Sequence, residues 1–347
     1  VMRSRTIRIG TRGSQLALWQ ARHVQSLLAV HHPGREFPIE IIKTQGDRIQ
    51  DRALYRVEDK GFFTKELEDA LLDERIDLAV HSLKDLPTEL PEALAIAAIP
   101  AREDPHDVWL ARDGSSLADA PAGARVGTSS LRRQAQLRAL RPDLVPVDLR
   151  GNVPTRLQKL EEGVYHAIVL ARAGLHRLGL LPPQAQVLPF EQILPAPGQG
   201  ALGVEVRAVD EKTRQIVGSL DDTAARLEVT AERALLHALQ GGCLVPVGAH
   251  ARWAGGSHEL AGVVAALSGE PLLRSSATMA VSSEEEARDL GARVASELIS
   301  AGADISWNAF VEMAIDVGID FGDLMSGDVD FFLYDYDEAT DSGTHVT

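Results

Sequence analysis

Short apolar runs alternate with amphipathic segments along most of the chain. Apolar runs bounded by turns predict buried strands, and apolar positions three or four residues apart predict helices that pack against them. This alternation is typical of α/β folds, in which helices cover a sheet. The predicted strands are residues 6–10, 37–43, 76–81, one ending at 125–127, 145–149, 167–171, 201–206, 245–252, 259–267 and 271–281. The predicted helices are residues 14–30, 65–73, 130–140, 153–162, 222–239 and 283–300.

Two local patterns sharpen this prediction. Thr64 precedes the second helix, and a threonine at that position predicts a side-chain cap. The first helix has one apolar face, which we expect to be buried. The residues of that face are Leu16, Trp19, Val24, Leu27 and Leu28.

The order of elements predicts an α/β protein of three domains. A Pro/Gly-rich stretch at 194–201 precedes a return to β structure, so we expect the chain to cross back there to its first domain. The predicted domains are an N-terminal α/β lobe (1–103 with 198–220), a second α/β lobe (104–197), a small α+β domain (221–303) and an acidic tail (304–347).

The net charge of −15 is unevenly distributed. Residues 304–347 contain 11 Asp and Glu and no Lys or Arg, so the remaining 303 residues carry only −4. An acidic surface does not favour a nucleic-acid partner. No apolar stretch approaches a membrane span, and no apolar signal-peptide core follows the N-terminus, so we expect a cytoplasmic protein.

Arginines follow several predicted strands, next to small hydroxyl residues. Helix N-termini, hydroxyls and guanidinium groups all bind anions, and arginine recognises carboxylates with two parallel hydrogen bonds. Since there is no phosphate-binding glycine motif, we expect a carboxylate-binding cleft rather than a diphosphate site. The residues of these turns are Arg12, Ser14, Thr128, Ser129, Ser130, Arg132, Arg133, Arg150, Arg156, Arg172 and Arg177.

The segment that follows the strand at 76–81 also carries candidate site residues. It contains Ser82, Lys84 and Asp85, and Asp85 is a candidate acid, base or cation stabiliser if it faces the arginines. His81 is better explained by a structural hydrogen bond. The long polar loop at 44–63 is a candidate lid.

Cys243 is the only cysteine, between Gly242 and Leu244 in a glycine-rich turn. One cysteine excludes an intramolecular disulfide and a four-cysteine metal site. The turn alone leaves two alternatives, a buried inert thiol or a reactive one.

Seven segments in order resemble the porphobilinogen deaminase (hydroxymethylbilane synthase) family. Two features depart from the family pattern: the loop at 57–61 has fewer glycines than many relatives, and residues 304–347 match no segment of the family. The matching segments are residues 8–18, 60–67, 81–87, 127–133, 149–153, 194–201 and 241–246.

The resemblance implies two lobes like those of periplasmic binding proteins and a third domain that carries a dipyrromethane cofactor. It implies an enzyme that joins four porphobilinogen molecules head to tail with loss of ammonia, giving hydroxymethylbilane for tetrapyrrole (heme-type) biosynthesis. A monomer without a membrane partner or metal ion is expected.

The same resemblance implies roles for individual residues. Cys243 would attach the cofactor through a thioether, and Asp85, with Lys84, would be catalytic. Cofactor contacts would come from Ser82, Lys84, Asp85, Thr128, Ser129, Ser130, Arg132 and Arg133. Substrate contacts would come from Arg12, Ser14, Phe63, Arg150, Arg156, Arg177 and Gln199.

Two alternative functions fit part of this pattern. A non-catalytic anion-binding protein would explain the arginines but gives Cys243 and Asp85 no role. A cysteine-nucleophile hydrolase should pair its thiol with a histidine, and although His237 and His250 flank Cys243, neither lies in a recognised catalytic motif.

Overall fold

The computed structural model describes residues 6–43, 64–239 and 246–303. The predicted lid, Phe63, Cys243 and the acidic tail lie outside the described residues. The strands are β1 (Ile9–Thr11), β2 (Ile39–Ile41), β3 (Leu78–Ser82), β4 (Leu94–Ala98), β5 (Asp107–Ala111), β6 (Arg125–Gly127), β7 (Val145–Val147), β8 (Ala167–Ala171), β9 (Gln186–Leu188), β10 (Leu202–Arg207), β11 (Val247–Ala254), β12 (Ser257–Ala265) and β13 (Leu272–Met279). The helices are α1 (Gln15–His31), α2 (Lys65–Leu72), α3 (Leu131–Leu140), α4 (Val153–Glu161), α5 (Arg172–Arg177), α6 (Glu211–Gly218), α7 (Thr223–Ala238) and α8 (Glu284–Ser300), and a short 3-10 helix spans Leu83–Asp85.

The first sheet has the strand order β2-β1-β3-β10-β4. β1 is parallel to β2 and β3, whereas β10 is antiparallel to β3 and β4. β3 has buried side chains at four of its five positions, as is typical of a strand covered on both faces. One face packs against α1 through Val24 and Leu28, and the other packs against α2 through Leu67 and Leu71.

The second sheet has the analogous order β7-β6-β8-β5-β9. Here β6 is parallel to β7 and β8, and β5 is the antiparallel strand between β8 and β9. The chain passes from the first sheet to the second through residues 99–106, which we call the first crossover. It returns through residues 189–201, the second crossover, so that β10 joins the first sheet.

The third sheet is an antiparallel meander of β11, β12 and β13. α7 and α8 pack against it, and the core between the helices and the sheet includes Leu235, Leu260 and Val294. The mixed α/β architecture of two lobes and a small C-terminal sheet domain confirms the predicted fold class.

Several details differ from the sequence prediction. α2 begins after Thr64, but the Thr64 side chain makes no capping hydrogen bond because its backbone has helical rather than extended angles. On the predicted inner face of α1, Val24 and Leu28 are buried, whereas Leu16, Trp19 and Leu27 are only half-buried. The prediction omitted β4, β5, β9, α5 and α6.

Among the described residues, no helix combines the length and the apolar character needed to cross a membrane.

Candidate active site

Three helices begin where strands of the two lobes end, and each begins with a side-chain cap. Ser14 Oγ accepts from Ala17 N (3.2 Å), Ser130 Oγ accepts from Arg133 N (3.4 Å), and Asn152 Oδ1 accepts from Thr155 N (3.0 Å). α1 follows β1, α3 follows β6 and α4 follows β7, each after a short turn. The positive ends of these helix dipoles therefore lie at the carboxyl ends of the parallel strands, where they favour anions.

A buried carboxylate, Asp107, organises the predicted arginine pair. Its Oδ2 accepts from Arg132 Nη1 at 2.8 Å, and its Oδ1 accepts from Arg133 Nη2 at 2.6 Å. Gln199 Nε2 donates to the same Oδ1 at 2.8 Å. We call these four residues the Asp107 cluster. It brings β5, α3 and the second crossover together.

The Asp107 cluster is buried but carries net positive charge. Burial acts to raise the pKa of Asp107, but the charges of Arg132 and Arg133 outweigh it and hold that pKa well below its usual range. Asp107 therefore stays ionised and neutralises one of the two guanidinium charges. Arg132 Nε and Arg133 Nε are also buried and have no hydrogen-bond acceptor among the described residues. A buried donor without an acceptor is costly, so these N–H groups are suited to an anionic ligand.

Lys84 approaches the Asp107 cluster from the first lobe. It lies in the 3-10 helix after β3, and its Nζ donates to Gln199 Oε1 at 3.3 Å. Burial lowers the pKa of Lys84 to about 8, with further lowering from Arg133 and Arg132 and opposing effects from Asp85 and Asp107. Asp85, the next residue, is exposed.

The arginines after β7 extend the positive charge of the second lobe. Arg156 Nε donates to Gly151 O at 2.7 Å, and Arg150 is half-buried. Burial lowers the pKa of Arg156 to about 10, the charges of Arg133 and Arg150 add to this effect, and Asp85 opposes it. Arg133, Arg150, Arg156 and Asp85 are thus close enough to interact, across the two lobes.

Arg177 lies at a different contact between the lobes. Its Nη2 donates to Gly200 O at 2.6 Å in the second crossover, and its guanidinium carbon is 5.7 Å from the centroid of the Trp19 ring in α1. Burial lowers its pKa to about 10. Arg12 follows β1 and is half-buried, and Arg172 Nη1 pairs with Asp104 at 3.1 Å.

The predicted hydroxyl residues are mostly engaged with the protein itself. Ser129 Oγ donates to Leu149 O at 3.1 Å and accepts from Leu149 N at 3.0 Å, so it ties two turns together. Thr128 Oγ1 accepts from Ser130 N at 3.2 Å, and Ser82 Oγ accepts from Gln20 Nε2 at 2.8 Å. The hydroxyls of Thr128 and Ser82 accept these bonds and can still donate their own protons to another acceptor. Ser129 already donates its proton to Leu149 O.

His81 makes the structural contact that the sequence favoured. Its Nε2 lies 3.0 Å from Glu205 Oε2 of β10, and both side chains are buried.

Two residues that hold the site together were missed by sequence reasoning. Asp107 appears in the sequence as one acidic residue among several near the start of an unpredicted strand. Glu232, in α7, is fully buried and accepts from Arg102 of the first crossover, Gly198 N of the second, and Ala251 N of β11 at 2.7–2.9 Å. The sequence signal that could have found Glu232 is a charged residue on the apolar side of an amphipathic helix.

Two mixed-sheet lobes, two crossovers and a cationic cluster between them define a two-lobed protein suited to binding anions, extended by a third sheet domain. Residues 7–215 match the family model "Porphobilinogen deaminase, dipyromethane cofactor binding domain", and residues 226–300 match "Porphobilinogen deaminase, C-terminal domain". The chain belongs to the porphobilinogen deaminase family.

Curated relatives match this chain over nearly their whole length. A porphobilinogen deaminase of Syntrophobacter fumaroxidans is 49% identical over 302 residues, which cover 87% of this chain and 97% of the relative. A porphobilinogen deaminase of Roseiflexus sp. is 51% identical over 297 residues, which cover 86% of this chain and 97% of the relative. Among solved structures, a periplasmic binding protein of Salmonella typhimurium with high arginine specificity covers 62% of this chain and 91% of its own at 14% identity, with a TM-score of 0.36.

Proposed function

We propose that the Asp107 cluster, Lys84 and Asp85 form the active site of this enzyme. As a member of the family, the chain is a hydroxymethylbilane synthase, a transferase of tetrapyrrole biosynthesis. It joins four porphobilinogen molecules head to tail and releases ammonia at each step. The observation that carries the site assignment is the buried cationic cluster, which Lys84 contacts from the first lobe and whose neighbour Arg156 interacts with the charge of Asp85.

The donors present fit the cofactor of the family. Dipyrromethane carries carboxylate side chains, and the buried Nε groups of Arg132 and Arg133 are donors without acceptors among the described residues. When bound, the cofactor supplies a covalently held pyrrole chain to which the substrate is added. Thr128, Ser130 and Ser82 are assigned to its neutral contacts, and Lys84 and Asp85 to its charged contacts from the first lobe. Ser129 would act by holding the turn.

Cys243 is assigned to the cofactor thioether on the strength of its sequence motif. The described residues on either side of it support this assignment. Near the end of α7, Arg233 Nη2 donates to Pro87 O at 2.6 Å, two residues beyond Asp85. At the start of β11, Ala249 N donates to Pro195 O at 2.9 Å in the second crossover. Both flanks therefore contact segments that carry proposed site residues.

The remaining cations would bind the growing chain. Each porphobilinogen brings an acetate and a propionate, so every addition introduces two negative charges that need partners. Guanidinium groups match carboxylates with paired hydrogen bonds, and their spread across both lobes suits a product that lengthens. The residues assigned to substrate are Arg12, Ser14, Phe63, Arg150, Arg156, Arg177 and Gln199.

Asp85 is assigned to catalysis because it brings negative charge to a positive surface. Loss of ammonia leaves positive charge on the substrate, and a carboxylate held nearby stabilises that charge as it develops. Arg156 and Lys84 both interact with the charge of Asp85, so it lies within reach of the groups assigned to binding.

Replacement of Asp85 tests this assignment. We expect Asp85→Ala to lower product formation at least about a hundredfold, the typical contribution of one electrostatic or acid–base group. Circular dichroism should show an unchanged fold, because Asp85 is exposed. Asp289→Ala, at an exposed position of α8, is the matched control and should be fully active. Near-normal turnover by Asp85→Ala would remove Asp85 from the mechanism.

We also expect the enzyme to be a cytoplasmic monomer that binds neither nucleic acid nor membrane. These expectations rest on the balanced charge of residues 1–303 and on the family resemblance.

A further inference from the structure

Gln199 has only one possible orientation in the Asp107 cluster. Its Nε2 donates both to Asp107 Oδ1 and to Pro105 O, each at 2.8 Å. With both amide protons used, Oε1 is directed away from Asp107, and this is the atom that accepts from Lys84 Nζ. An amide has two donors and one acceptor oxygen, so a carboxylate and a carbonyl on one side determine what the other side can bind.

This arrangement connects the two lobes through buried groups. Asp107 belongs to β5 of the second sheet, Gln199 to the second crossover, and Lys84 to the segment after β3 of the first sheet. Asp107 and Gln199 are 0% and 1% exposed, so water does not compete with their hydrogen bonds. The direction of these hydrogen bonds is determined, because an ionised Asp107 accepts only, and therefore only the oxygen of Gln199 is left for Lys84.

We propose that Asp107 is a positioning residue for the reaction: acting through Gln199, it holds the Lys84 ammonium in place while it also fixes Arg132 and Arg133. The proposal rests on the proposed role of Lys84 in the active site. Asp107 itself would touch neither substrate nor cofactor.

The charges around Lys84 set its pKa, which can be measured. Besides burial, the groups that act most strongly on Lys84 among the described residues are Asp85 on its own segment, Arg132 and Arg133 from α3, and Asp107 from β5. Asp107 raises the pKa of Lys84, which burial brings down to about 8. Removing the Asp107 charge should therefore lower the Lys84 pKa further, so that Lys84 loses its proton at a lower pH.

The test is competitive acetylation of Lys84 in the cofactor-loaded enzyme. Trace isotopic acetic anhydride is applied across a pH series, peptides are quantified by mass spectrometry, and the exposed Lys212 serves as the internal reference. Only the neutral amine reacts, so the labelling curve reports the Lys84 pKa without using turnover. We expect Asp107→Asn to move the curve to lower pH by roughly one pH unit.

Asp77→Asn is the matched control. Asp77 is also buried and also pairs with two arginines, Arg8 at 3.0 Å and Arg207 at 3.4 Å, but it lies in the first lobe just before β3. Its replacement should destabilise the fold in a similar way and leave the Lys84 curve unchanged. An unshifted Lys84 curve in Asp107→Asn, or an equal shift in Asp77→Asn, would overturn the proposal.

Gln199→Met provides a second variant that keeps all the charges of the cluster. Without the acceptor oxygen, charged Lys84 is less stabilised, so its labelling curve should again move to lower pH. A wild-type curve in folded Gln199→Met would contradict the route through Gln199. Normal turnover of Lys84→Met would instead contradict the proposed function. The labelling curves would still test whether Asp107 acts on Lys84 through Gln199.

Discussion

Gly200 shows at the scale of a single residue how closely the two crossovers approach each other. Its φ is +86°, and a Cβ added there would lie 2.3 Å from Glu103 O of the first crossover. Gly200 O accepts from Glu103 N at 3.2 Å and also from Arg177. No side chain fits between these two backbone segments, and only glycine adopts this φ without strain.

We expect Gly200→Ala to destabilise the protein by roughly 2–4 kcal/mol, since it combines strain with a backbone clash. Scanning calorimetry should show this as a fall in Tm of several degrees. Gly218→Ala is the control: nothing lies within 4 Å of its added Cβ, and alanine favours the helix end, so its Tm should not fall. Equal Tm values for the two variants would contradict the close packing of the two crossovers at Gly200.

Residues differ in how far the sequence predicts them. Arg132 and Arg133 were predictable because they follow a strand and a hydroxyl-rich turn. Asp107 was not, since what makes it important is three partners that are distant in sequence. A buried ion cluster has no local pattern, so only the fold reveals it.

At the scale of elements, the six helices that were predicted match the observed ones within one residue at each boundary, whereas α5 and α6 were missed. Ser14, Ser130 and Asn152 mark helix starts by chemistry that acts locally, through a side-chain acceptor for a free N–H. Short strands carry a weaker signal. β5 and β9 were missed because their few residues gain order from pairing with distant strands, which the local sequence does not encode.

A stack of three rings joins separate elements at the crossovers. The Phe190 ring lies between His106 and His250, with centroids 3.8 Å from each. His106 belongs to the first crossover, Phe190 to the second and His250 to β11, so one stack links both crossovers to the third sheet. Burial lowers the pKa of His250 to about 3, and the charges of Arg102 and His106 add to this effect.

The stack should make stability depend on pH. His250 has its ordinary pKa of about 6.5 when unfolded and a lower one when folded, so the unfolded state binds more protons below pH 6.5 and stability falls as the pH falls. At pH 5 this cost is about 2 kcal/mol. We expect His250→Phe to lose less stability than the wild type between pH 7 and pH 5, as measured by Tm. His31→Gln, at an exposed position, is the control and should follow the wild type. If Tm fell equally with pH in His250→Phe and in the wild type, His250 would not be the cause of the pH dependence.

At the scale of the whole molecule, three sheets meet around the crossovers. Glu232 contacts both crossovers and β11 at once, and Arg233 contacts the segment after Asp85, so α7 joins the third domain to the cleft. The domain limits predicted from the sequence, including 198–220 in the first lobe, stay a proposal that the pairing of β10 supports. The alternation of strands and helices was enough to predict the fold class, but not that α7 of the third domain contacts both crossovers.

In the proposed function, Cys243 carries the cofactor on which the product is built. Because the chain has one cysteine, intact-protein mass spectrometry with peptide mapping tests it without ambiguity. Freshly purified, active wild-type protein should carry a covalent dipyrromethane adduct on the peptide that contains Cys243, and Cys243→Ser protein should have the unmodified mass and no activity. Active wild-type protein of unmodified mass would exclude Cys243 as the site of cofactor attachment.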